Sequence, residues 1–279
     1  MISAYIPAFN VDPKLLLSVV DSIYHQSVKP QTITILDDGS SPKIKLPNSS
    51  SKFTVYNNNL NRGRGFIRKL AIDDADTQLV LLCDSTNTIP PEFIKTAIDH
   101  FKDPKVAAVS GKIANGSNAS SMALNWRGRH LFKQDHDFGG IFQEAVSLTT
   151  YGTLLRRSAV LEVGNFNPSL RHSEDKDLGN RLLNAGYKII GDPNLVVYSI
   201  KNDTIFSVLE RYWRWYGGTD EEFSMKDYWN AFKASLRPMM QEDIKANDWS
   251  AAFVSFLCPH YGYFRHLYRK FTGKLQKTH

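Results

Sequence analysis

The chain has 279 residues, of which 42% are hydrophobic and 22% are charged, a composition typical of a globular protein. This length suits one large domain, or one domain with a C-terminal addition. The longest apolar runs fall far short of the roughly 20 residues that cross a bilayer, and no basic stretch precedes the first strand-like run, so we expect neither a membrane span nor a signal peptide. Two distant cysteines, Cys83 and Cys258, cannot specify a disulfide framework and favour a cytoplasmic chain with free thiols.

The first part of the chain alternates between strand-like and helix-like patterns. Apolar and β-branched runs predict the strands, and apolar residues at helical spacing predict the helices between them. The predicted strands are 2–6, 32–36, 53–56, 79–83 and 106–110, and the predicted helices are one that begins after Asp12, 65–73 and 91–101. This alternation predicts an α/β fold with a mostly parallel, Rossmann-like sheet and helices on both faces.

The second part of the chain is less regular. We expect irregular structure over residues 111–150, a helix over 174–186, and short strands at 189–190 and 195–198. Beyond about Lys201 the pattern is helical and rich in aromatic residues. We therefore expect a domain over residues 1–200 and a helical, aromatic and basic C-terminal extension over 201–279 that serves acceptor, membrane or oligomer contacts.

Acidic residues follow the ends of predicted strands or open a predicted helix. Asp37 and Asp38 follow the second strand, Asp84 follows the fourth, and Glu174 and Asp175 open a helix. Because ligands of open α/β sheets bind at the carboxyl ends of the strands, we expect these clusters to converge. Converging carboxylates repel unless a cation or hydrogen-bond donors offset them, which predicts a phosphate–metal or nucleobase site. Taken singly, each cluster is also expected of a turn or a helix N-terminus.

Six short segments follow one another in a particular order. They are SAYIPAFN, ILDDGSS, NRGRGFIRKLAI, LLCDSTN, GTLLRRSAVLEVGNFNPSL and SEDKDLGNRLLNAGYKI, and they cover roughly residues 2–198. Together they resemble the family 2 glycosyltransferases of the GT-A fold. The resemblance implies an inverting enzyme that moves a sugar from a nucleotide diphosphate donor to a hydroxyl of a glycan or lipid-linked glycan.

The resemblance also implies roles for the nucleotide-binding residues. The segment Pro7, Ala8, Phe9 and Asn10 matches one that cups the base and ribose in the family. Asp38 matches a carboxylate that accepts a hydrogen bond from the uracil N3–H, and a group that only accepts is suited to reading that donor. Thymine presents the same N3–H, but the implied donor is a UDP-sugar.

Further roles follow for the charged residues around the diphosphate. Arg68 matches an arginine that braces the nucleotide or its diphosphate, and Asp84 matches the first carboxylate of the metal motif. Asp175 matches the general base that removes the proton of the acceptor hydroxyl, with Glu174 as its orienting or acceptor-binding neighbour. A helix N-terminus that simply favours acids is the bland alternative for this pair.

The metal motif departs from the family pattern. Thr86 stands where the family has its second aspartate, and Ser199 stands where many relatives have a histidine. A hydroxyl is a weaker ligand for Mn²⁺ or Mg²⁺ than a carboxylate. Three explanations stay open: metal binds more weakly through Asp84, basic side chains such as Arg68 or Arg211 replace it, or the chain binds without transferring. The last is the alternative function, a catalytically impaired nucleotide- or glycan-binding protein.

Two features lie in the C-terminal extension. The segment 206–218 resembles an arginine–tryptophan segment of processive family members, which places Arg211, Arg214 and Trp215 in the acceptor or diphosphate region. From His260 onward the chain has no Asp or Glu, and aromatic residues interleave with five basic ones. Such a tail suits an anionic membrane surface, for instance the inner face of a membrane, or is a solvated helix whose aromatics pack on the domain.

Other functional classes fit the sequence poorly. The segment from Gly63 to Arg68 lacks the third glycine of a dinucleotide-binding loop. No glycine-rich, basic loop follows the first strand, as a nucleotidyltransferase would want. The basic excess lies largely in the tail and accompanies no nucleic-acid motif, so we expect no nucleic-acid partner. Homo-oligomer formation is left open.

Overall fold

The computed structural model describes residues 1–46, 52–116, 121–134, 143–144, 147–216 and 224–272. The chain forms two compact units. The first consists of Met1–Ala114 and Asp137–Lys201, and the second of Asn115–His136 and Asn202–His279. The predicted division into 1–200 and 201–279 differs in one respect, because the second unit also takes up Asn115–His136.

The first unit is built on a mixed sheet, which has nine strands in the described part of the chain. The strands are β1 Ile2–Ala8, β2 Thr32–Asp37, β3 Thr54–Asn57, β4 Leu79–Cys83, β5 Asn87–Thr88, β6 Val106–Asn115, β7 Gln143–Glu144, β8 Gly152–Arg156 and β9 Lys188–Ser199. Their order is β3-β2-β1-β4-β8-β6-β9-β5, and β7 pairs with β9.

Strand direction divides this sheet. The pairs β1–β2, β1–β4 and β2–β3 are parallel, whereas β4–β8, β6–β8, β5–β9 and β7–β9 are antiparallel. The expectation of a mostly parallel sheet is therefore wrong beyond β4. The hydrophobic pattern of a strand indicates how deeply that strand is buried. Strand β8 is almost fully buried, as a strand inside a parallel sheet is, so its pattern does not indicate its direction.

The helices account for most of the rest of the described chain. They are α1 Pro13–Tyr24, α2 Arg64–Asp74, α3 Phe93–His100, α4 Met122–Trp126, α5 Arg157–Glu162, α6 Glu174–Asn184, α7 Ile205–Tyr216, α8 Met225–Ala234, α9 Gln241–Lys245 and α10 Trp249–Thr272, with π-helical turns at Arg127–Leu131 and Ser235–Met240. The predicted start of α1 is confirmed, because the Asp12 side chain accepts a hydrogen bond of 2.8 Å from the Lys14 amide.

Side chains alternate between two hydrophobic clusters that lie on opposite faces of the sheet. Along β4, Leu81 and Cys83 join one cluster with α1, whereas Val80 and Leu82 join the other. The second cluster includes apolar residues of α2 and α6. These two helices therefore share one face of the sheet, which brings their charged residues to the same region. Cys83 and Cys258 are buried and free, and burial raises the pKa of both thiols.

Part of the segment predicted to be irregular is helical. Helix α4 begins after Ser121, whose side chain accepts a hydrogen bond of 3.2 Å from the Leu124 amide. Trp126 is fully buried within the second unit and donates a hydrogen bond of 2.8 Å to Ser255 of α10. Packing against α10, more than 120 residues away, holds a helix that local sequence does not indicate. Within 111–150, residues 117–120, 135–142 and 145–146 lie outside the described residues, so the expectation of irregular structure stays a prediction there.

Candidate functional site

The turn after β2 is built around the carboxylate of Asp37. This side chain is fully buried and accepts hydrogen bonds of 2.9 Å from the Ser40 amide and 3.3 Å from the Ile44 amide. Gly39 adopts a φ of +79°, in the left-handed region that favours glycine. Asp37 therefore shapes the turn, as its sequence context indicates.

Asp38 holds the loop that leads into α2. Its carboxylate accepts hydrogen bonds from the backbone amides of Arg62, at 2.9 Å, and Gly63, at 2.7 Å. The Asn58 side chain donates a longer one, at 3.3 Å. Two of these bonds reach Oδ1 and one reaches Oδ2, so a lone pair of Oδ2 remains as acceptor capacity for a nucleobase. Asp38 thus has a structural partner that sequence reasoning missed, and its nucleotide-binding role stays a prediction.

The segment from Pro7 to Asn10 is joined to this turn. Pro7 and Ala8 pair in register with Leu36 and Asp37. The Asn10 amide donates a hydrogen bond of 2.8 Å to the Ser40 hydroxyl, and the Asn10 side chain accepts one of 3.0 Å from the Ser41 amide. The ends of β1 and β2 therefore form one connected rim, on which Phe9 is half-buried and Asn10 exposed.

Arg68 connects two acidic clusters that are distant in sequence. One guanidinium nitrogen lies 3.0 Å from a carboxylate oxygen of Asp84, and the other pairs with Glu174. The Arg68 side chain is only 3% exposed. Burial lowers the pKa of Arg68, and the charge of Asp84 opposes that shift. The expected convergence of Asp84 with the start of α6 is present, and an arginine offsets the repulsion between the carboxylates.

The two acids at the start of α6 differ in environment. Glu174 is 1% exposed and holds Arg68. Asp175 is half-buried and lies close enough to Arg68 to act on its pKa. Among the described residues, only its neighbour's backbone amide, that of Lys176, donates a hydrogen bond to the Asp175 carboxylate, at 2.9 Å. Glu174 therefore suits an orienting role, and the less buried Asp175 is the acid that a bound acceptor could reach.

The buried ion pair is incompletely hydrogen-bonded. Arg68 Nε and Glu174 Oε2 are both buried and have no hydrogen-bond partner within the described part of the chain. An unpaired buried polar group costs about 1–3 kcal/mol, so stability alone does not account for this pair. Unsatisfied groups in native structures are typical of functional sites or of ordered water.

A second loop locks against the start of α2. The Gly65 amide donates a hydrogen bond of 2.9 Å to the Leu170 carbonyl, and a Cβ on Gly65 would lie 2.1 Å from the Asn167 carbonyl oxygen. The Arg171 guanidinium donates to both the side chain and the carbonyl of Asn61, at 2.7 and 2.9 Å. Sequence reasoning missed these positioning contacts, and the repeated glycines of the segment NRGRG were the available signal.

The two departures from the metal motif are neighbours in space. Asn87, next to Thr86, pairs with Ser199 across the β5–β9 ladder, and the Ile200 amide donates a hydrogen bond of 2.9 Å to the Thr86 carbonyl. Of the motif positions Asp84, Thr86 and Ser199, Asp84 supplies the carboxylate, and Arg68 occupies one of its oxygens. In the described ranges no group of three His, Cys, Asp or Glu side chains is arranged to hold a metal ion. The residues present do not fit the metal set that the resemblance implies.

The residues predicted for the acceptor or diphosphate region lie on α7 in the second unit. Arg211 forms an ion pair of 3.0 Å with the buried Asp203, which also pairs with Arg127 at 2.7 Å. Arg214 is exposed, and Trp215 is 54% exposed. Arg211 thus contributes to the interior of the second unit, and the acceptor roles of all three residues stay predictions.

Comparison with known proteins decides the family. The sequence model of the family described as "Glycosyl transferase family group 2" matches residues 79–272, well over half of the chain. The chain belongs to this family. The predicted recognition and the predicted transferase class are thereby confirmed.

Three relatives of this glycosyltransferase indicate the range of similar proteins. The O-antigen chain rhamnosyltransferase RfbN of Salmonella typhimurium is 26% identical over 76% of this chain and 70% of its own length. An N-acetylglucosaminyltransferase of Rhizobium leguminosarum bv. viciae is 23% identical over 77% of this chain and 54% of its own. Hyaluronan synthase of Streptococcus pyogenes is 28% identical over 58% of this chain and 40% of its own. The chain therefore spans about half the length of the latter two relatives.

A solved structure supports the fold. A crystal structure of GalNAc-T7 with UDP, GalNAc and Mn²⁺ matches 97% of this chain and 57% of that protein, with a TM-score of 0.57 and 16% identity. At this identity the match shows the fold alone. The GT-A fold expected from the six segments is confirmed.

Proposed function

We propose that this glycosyltransferase moves a sugar with inversion from a UDP-sugar to a hydroxyl of a glycan or lipid-linked glycan acceptor. The observation that carries the proposal is the bridge from Asp84 through Arg68 to Glu174, with Asp175 as the adjacent acid. The bridge ties the end of β4 to the start of α6. It therefore fixes the position of Asp84, the proposed nucleotide-binding carboxylate, relative to Asp175, the candidate base.

The proposed reaction is a single displacement. Asp175 takes the proton of the acceptor hydroxyl as that oxygen attacks the anomeric carbon. The new bond joins the acceptor oxygen to the sugar, the bond from the anomeric carbon to the phosphate oxygen breaks, and its electron pair leaves with the nucleoside diphosphate. Attack from the face opposite the leaving group inverts the configuration.

The donor assignment rests on the nucleotide-binding rim. Asp38 has acceptor capacity for an N3–H, and the segment from Pro7 to Asn10 lies beside it through the β1–β2 register. The structural neighbour solved with UDP agrees with a uridine nucleotide. Names of relatives cover transfer of rhamnose and N-acetylglucosamine and synthesis of hyaluronan, which supports a glycan acceptor and leaves the sugar itself undetermined.

We assign no step to a divalent cation, because Asp84, Thr86 and Ser199 do not make the ligand set that the resemblance implies. Basic side chains are the proposed source of positive charge beside the leaving diphosphate, and Arg68 is the one at the bridge. The alternative, a binder that no longer transfers, is favoured by the same substitutions at Thr86 and Ser199.

A screen of nucleotide sugars for donor hydrolysis, with and without Mn²⁺, tests the proposal. We expect turnover of a UDP-sugar, a loss of kcat of about 10²- to 10⁴-fold in Asp175→Asn, and an unchanged dissociation constant for UDP by calorimetry. Asp177→Asn is the matched control, since Asp177 lies in the same helical turn but pairs with Arg181 at 2.6 Å. UDP binding with no turnover of any donor, and no effect of Asp175→Asn, identifies the non-catalytic binder instead.

A further inference from the structure

Exposed apolar side chains are concentrated on two helices of the second unit. We name this set the aromatic face: Met225 and Trp229 of α8, and Trp249, Phe253, Phe256, Phe264, Tyr268 and Phe271 of α10. Trp249 is 66% exposed, Phe264 67% and Phe271 83%. The described residues of the larger first unit expose only Met1, Tyr56, Leu60 and Leu161 among their large hydrophobics. Contiguous exposed apolar surface of this kind marks an interaction site.

The members of α10 lie on one side of that helix. Positions 249, 253, 256, 264, 268 and 271 recur at intervals of three, four or eight residues, the spacing of a single helical face. A helix of 24 residues is about 36 Å long, so the face is extended. Helix α8 packs beside its middle, with ring centroids of Phe232 and Phe256 6.3 Å apart. Trp229 lies 5.7 Å from Phe232, which continues the surface onto α8.

The exposed charges of the segment that carries the aromatic face favour an anionic partner. Helix α10 contains no Asp or Glu. Over residues 224–272 the exposed cations are Lys226, Lys233, Arg237, Lys245 and Lys270, whereas the exposed acids are Asp227 and Glu242. Asp227 is already held in the capping box of α8 by Ser224. Lysines beside exposed Trp, Tyr and Phe are the composition of surfaces that lie in the headgroup region of a bilayer.

A second copy of the chain fits this face less well. Helix pairs that associate along a seam use Leu, Ile and Val at the repeating positions, and here all six members on α10 are aromatic. Pro259 lies inside α10 and has no backbone N–H to donate within the helix. In the described part of the chain no helix is both long and apolar enough to span a bilayer. Binding in the plane of the surface is the mode that remains.

We propose that the aromatic face docks the second unit on the surface of a lipid bilayer that contains anionic lipids. The aromatic rings enter the boundary between headgroups and acyl chains, and the lysines contact the anionic headgroups. This proposal goes beyond sugar transfer and does not depend on it. A lipid-linked acceptor would be presented at such a surface.

Co-sedimentation of the full chain with vesicles tests the proposal. The vesicles are phosphatidylcholine alone, or phosphatidylcholine with phosphatidylglycerol. The test variant is Trp249→Ser/Phe264→Ser/Phe271→Ser, which changes well-exposed residues and leaves the packing of α8 on α10 in place. The control is Leu161→Ser/Phe206→Ser, which removes exposed apolar side chains elsewhere, at 39% and 74% exposure. Circular dichroism confirms that each variant is folded.

We expect the chain to bind the anionic vesicles, with affinity reduced about tenfold or more by the triple substitution, unchanged in the control, and weakened by added salt. Equal binding of the triple variant, equal binding to neutral vesicles, or no binding of the unaltered chain overturns the proposal. Light scattering after size exclusion addresses the remaining occupant: a dimer that the triple substitution makes monomeric assigns the face to a second copy instead. None of these measurements uses a nucleotide sugar, so a result that overturns membrane docking leaves the proposed sugar transfer unaffected.

Discussion

Arg68 and Asp84 form an ion pair of 3.0 Å that links the middle of α2 to the end of β4. The same guanidinium holds Glu174, so its position is fixed from two sides. Six residues before Arg68, Arg62 offers its backbone amide to Asp38. Through α2 and the loop before it, the nucleotide-binding rim and the candidate base are parts of one connected structure.

The buried pair predicts unequal effects of single and double substitutions. Arg68→Met leaves Glu174 charged, buried and unpaired, and we expect the free energy of unfolding to fall by about 3–5 kcal/mol. In Arg68→Met/Glu174→Met no buried charge remains, and we expect most of that loss to be recovered. Urea denaturation measures both. We expect both variants to bind UDP more weakly than the unaltered chain, because both lack Arg68. Equal free energies of unfolding for the single and the double variant would contradict this prediction.

The neighbouring positions 86 and 199 predict that a metal site is restored by two changes. We expect the dissociation constant of the unaltered chain for UDP to differ less than about threefold between Mn²⁺ and EDTA, and that of Thr86→Asp/Ser199→His to become about tenfold tighter with Mn²⁺. A carboxylate and an imidazole join Asp84 because the β5–β9 ladder holds the two positions together. Calorimetry measures the constants.

The matched control for that experiment is Thr88→Asp, which adds the same charge on β5 opposite Tyr198. We expect this variant to bind UDP no more tightly with Mn²⁺ than the unaltered chain. A strong Mn²⁺ dependence of the unaltered chain would show that the cation reaches Asp84 in spite of Arg68.

Gly39 predicts a steric effect that can be separated from backbone strain. Gly39 and Gly186 adopt similar φ values of +79° and +83°. A Cβ at Gly186 meets nothing within 4 Å, whereas one at Gly39 would lie 2.5 Å from the Leu60 carbonyl carbon. We expect Gly186→Ala to lower the free energy of unfolding by about 1–2 kcal/mol, and Gly39→Ala by about 1–3 kcal/mol more. Only Gly39→Ala should weaken UDP binding, because it displaces the loop that Asp38 holds.

Asp203 predicts a dependence of stability on acid. Burial alone would raise its pKa, but the positive charges of Arg211 and Arg127 outweigh burial, and the pKa lies below its usual range. A lowered pKa in the folded state adds stability that is complete above the ordinary value of about 3.9 and is lost as the pH falls through the folded value. We expect Asp203→Asn to be less stable than the unaltered chain near pH 7, and the difference to shrink below about pH 4. Urea denaturation across this range measures it, and a constant difference would contradict the prediction.

The elements before Ser110 are predictable because their signals are local. Strand β1 is predicted over 2–6 and spans Ile2–Ala8, and the Asp12 cap marks the start of α1. Strand direction is not encoded in burial patterns, so the antiparallel half of the sheet is not predictable in this way. Helix α4 depends on contacts with α10, and the partner of Arg68 lies 106 residues away in Glu174. The sequence indicates that the carboxylates gather, but not which cation holds them.

Ser173 precedes the two acids of α6 and has a φ of +59°. A residue with a Cβ pays a conformational penalty of about 1 kcal/mol or more there, and a glycine would not. Fewer backbone conformations are accessible to a serine than to a glycine, so the direction of the first turn of α6 is more narrowly defined. Replacing Ser173 with glycine would remove this penalty and would also leave the backbone just before Asp175 freer to change conformation, so we expect the candidate base to be held less precisely.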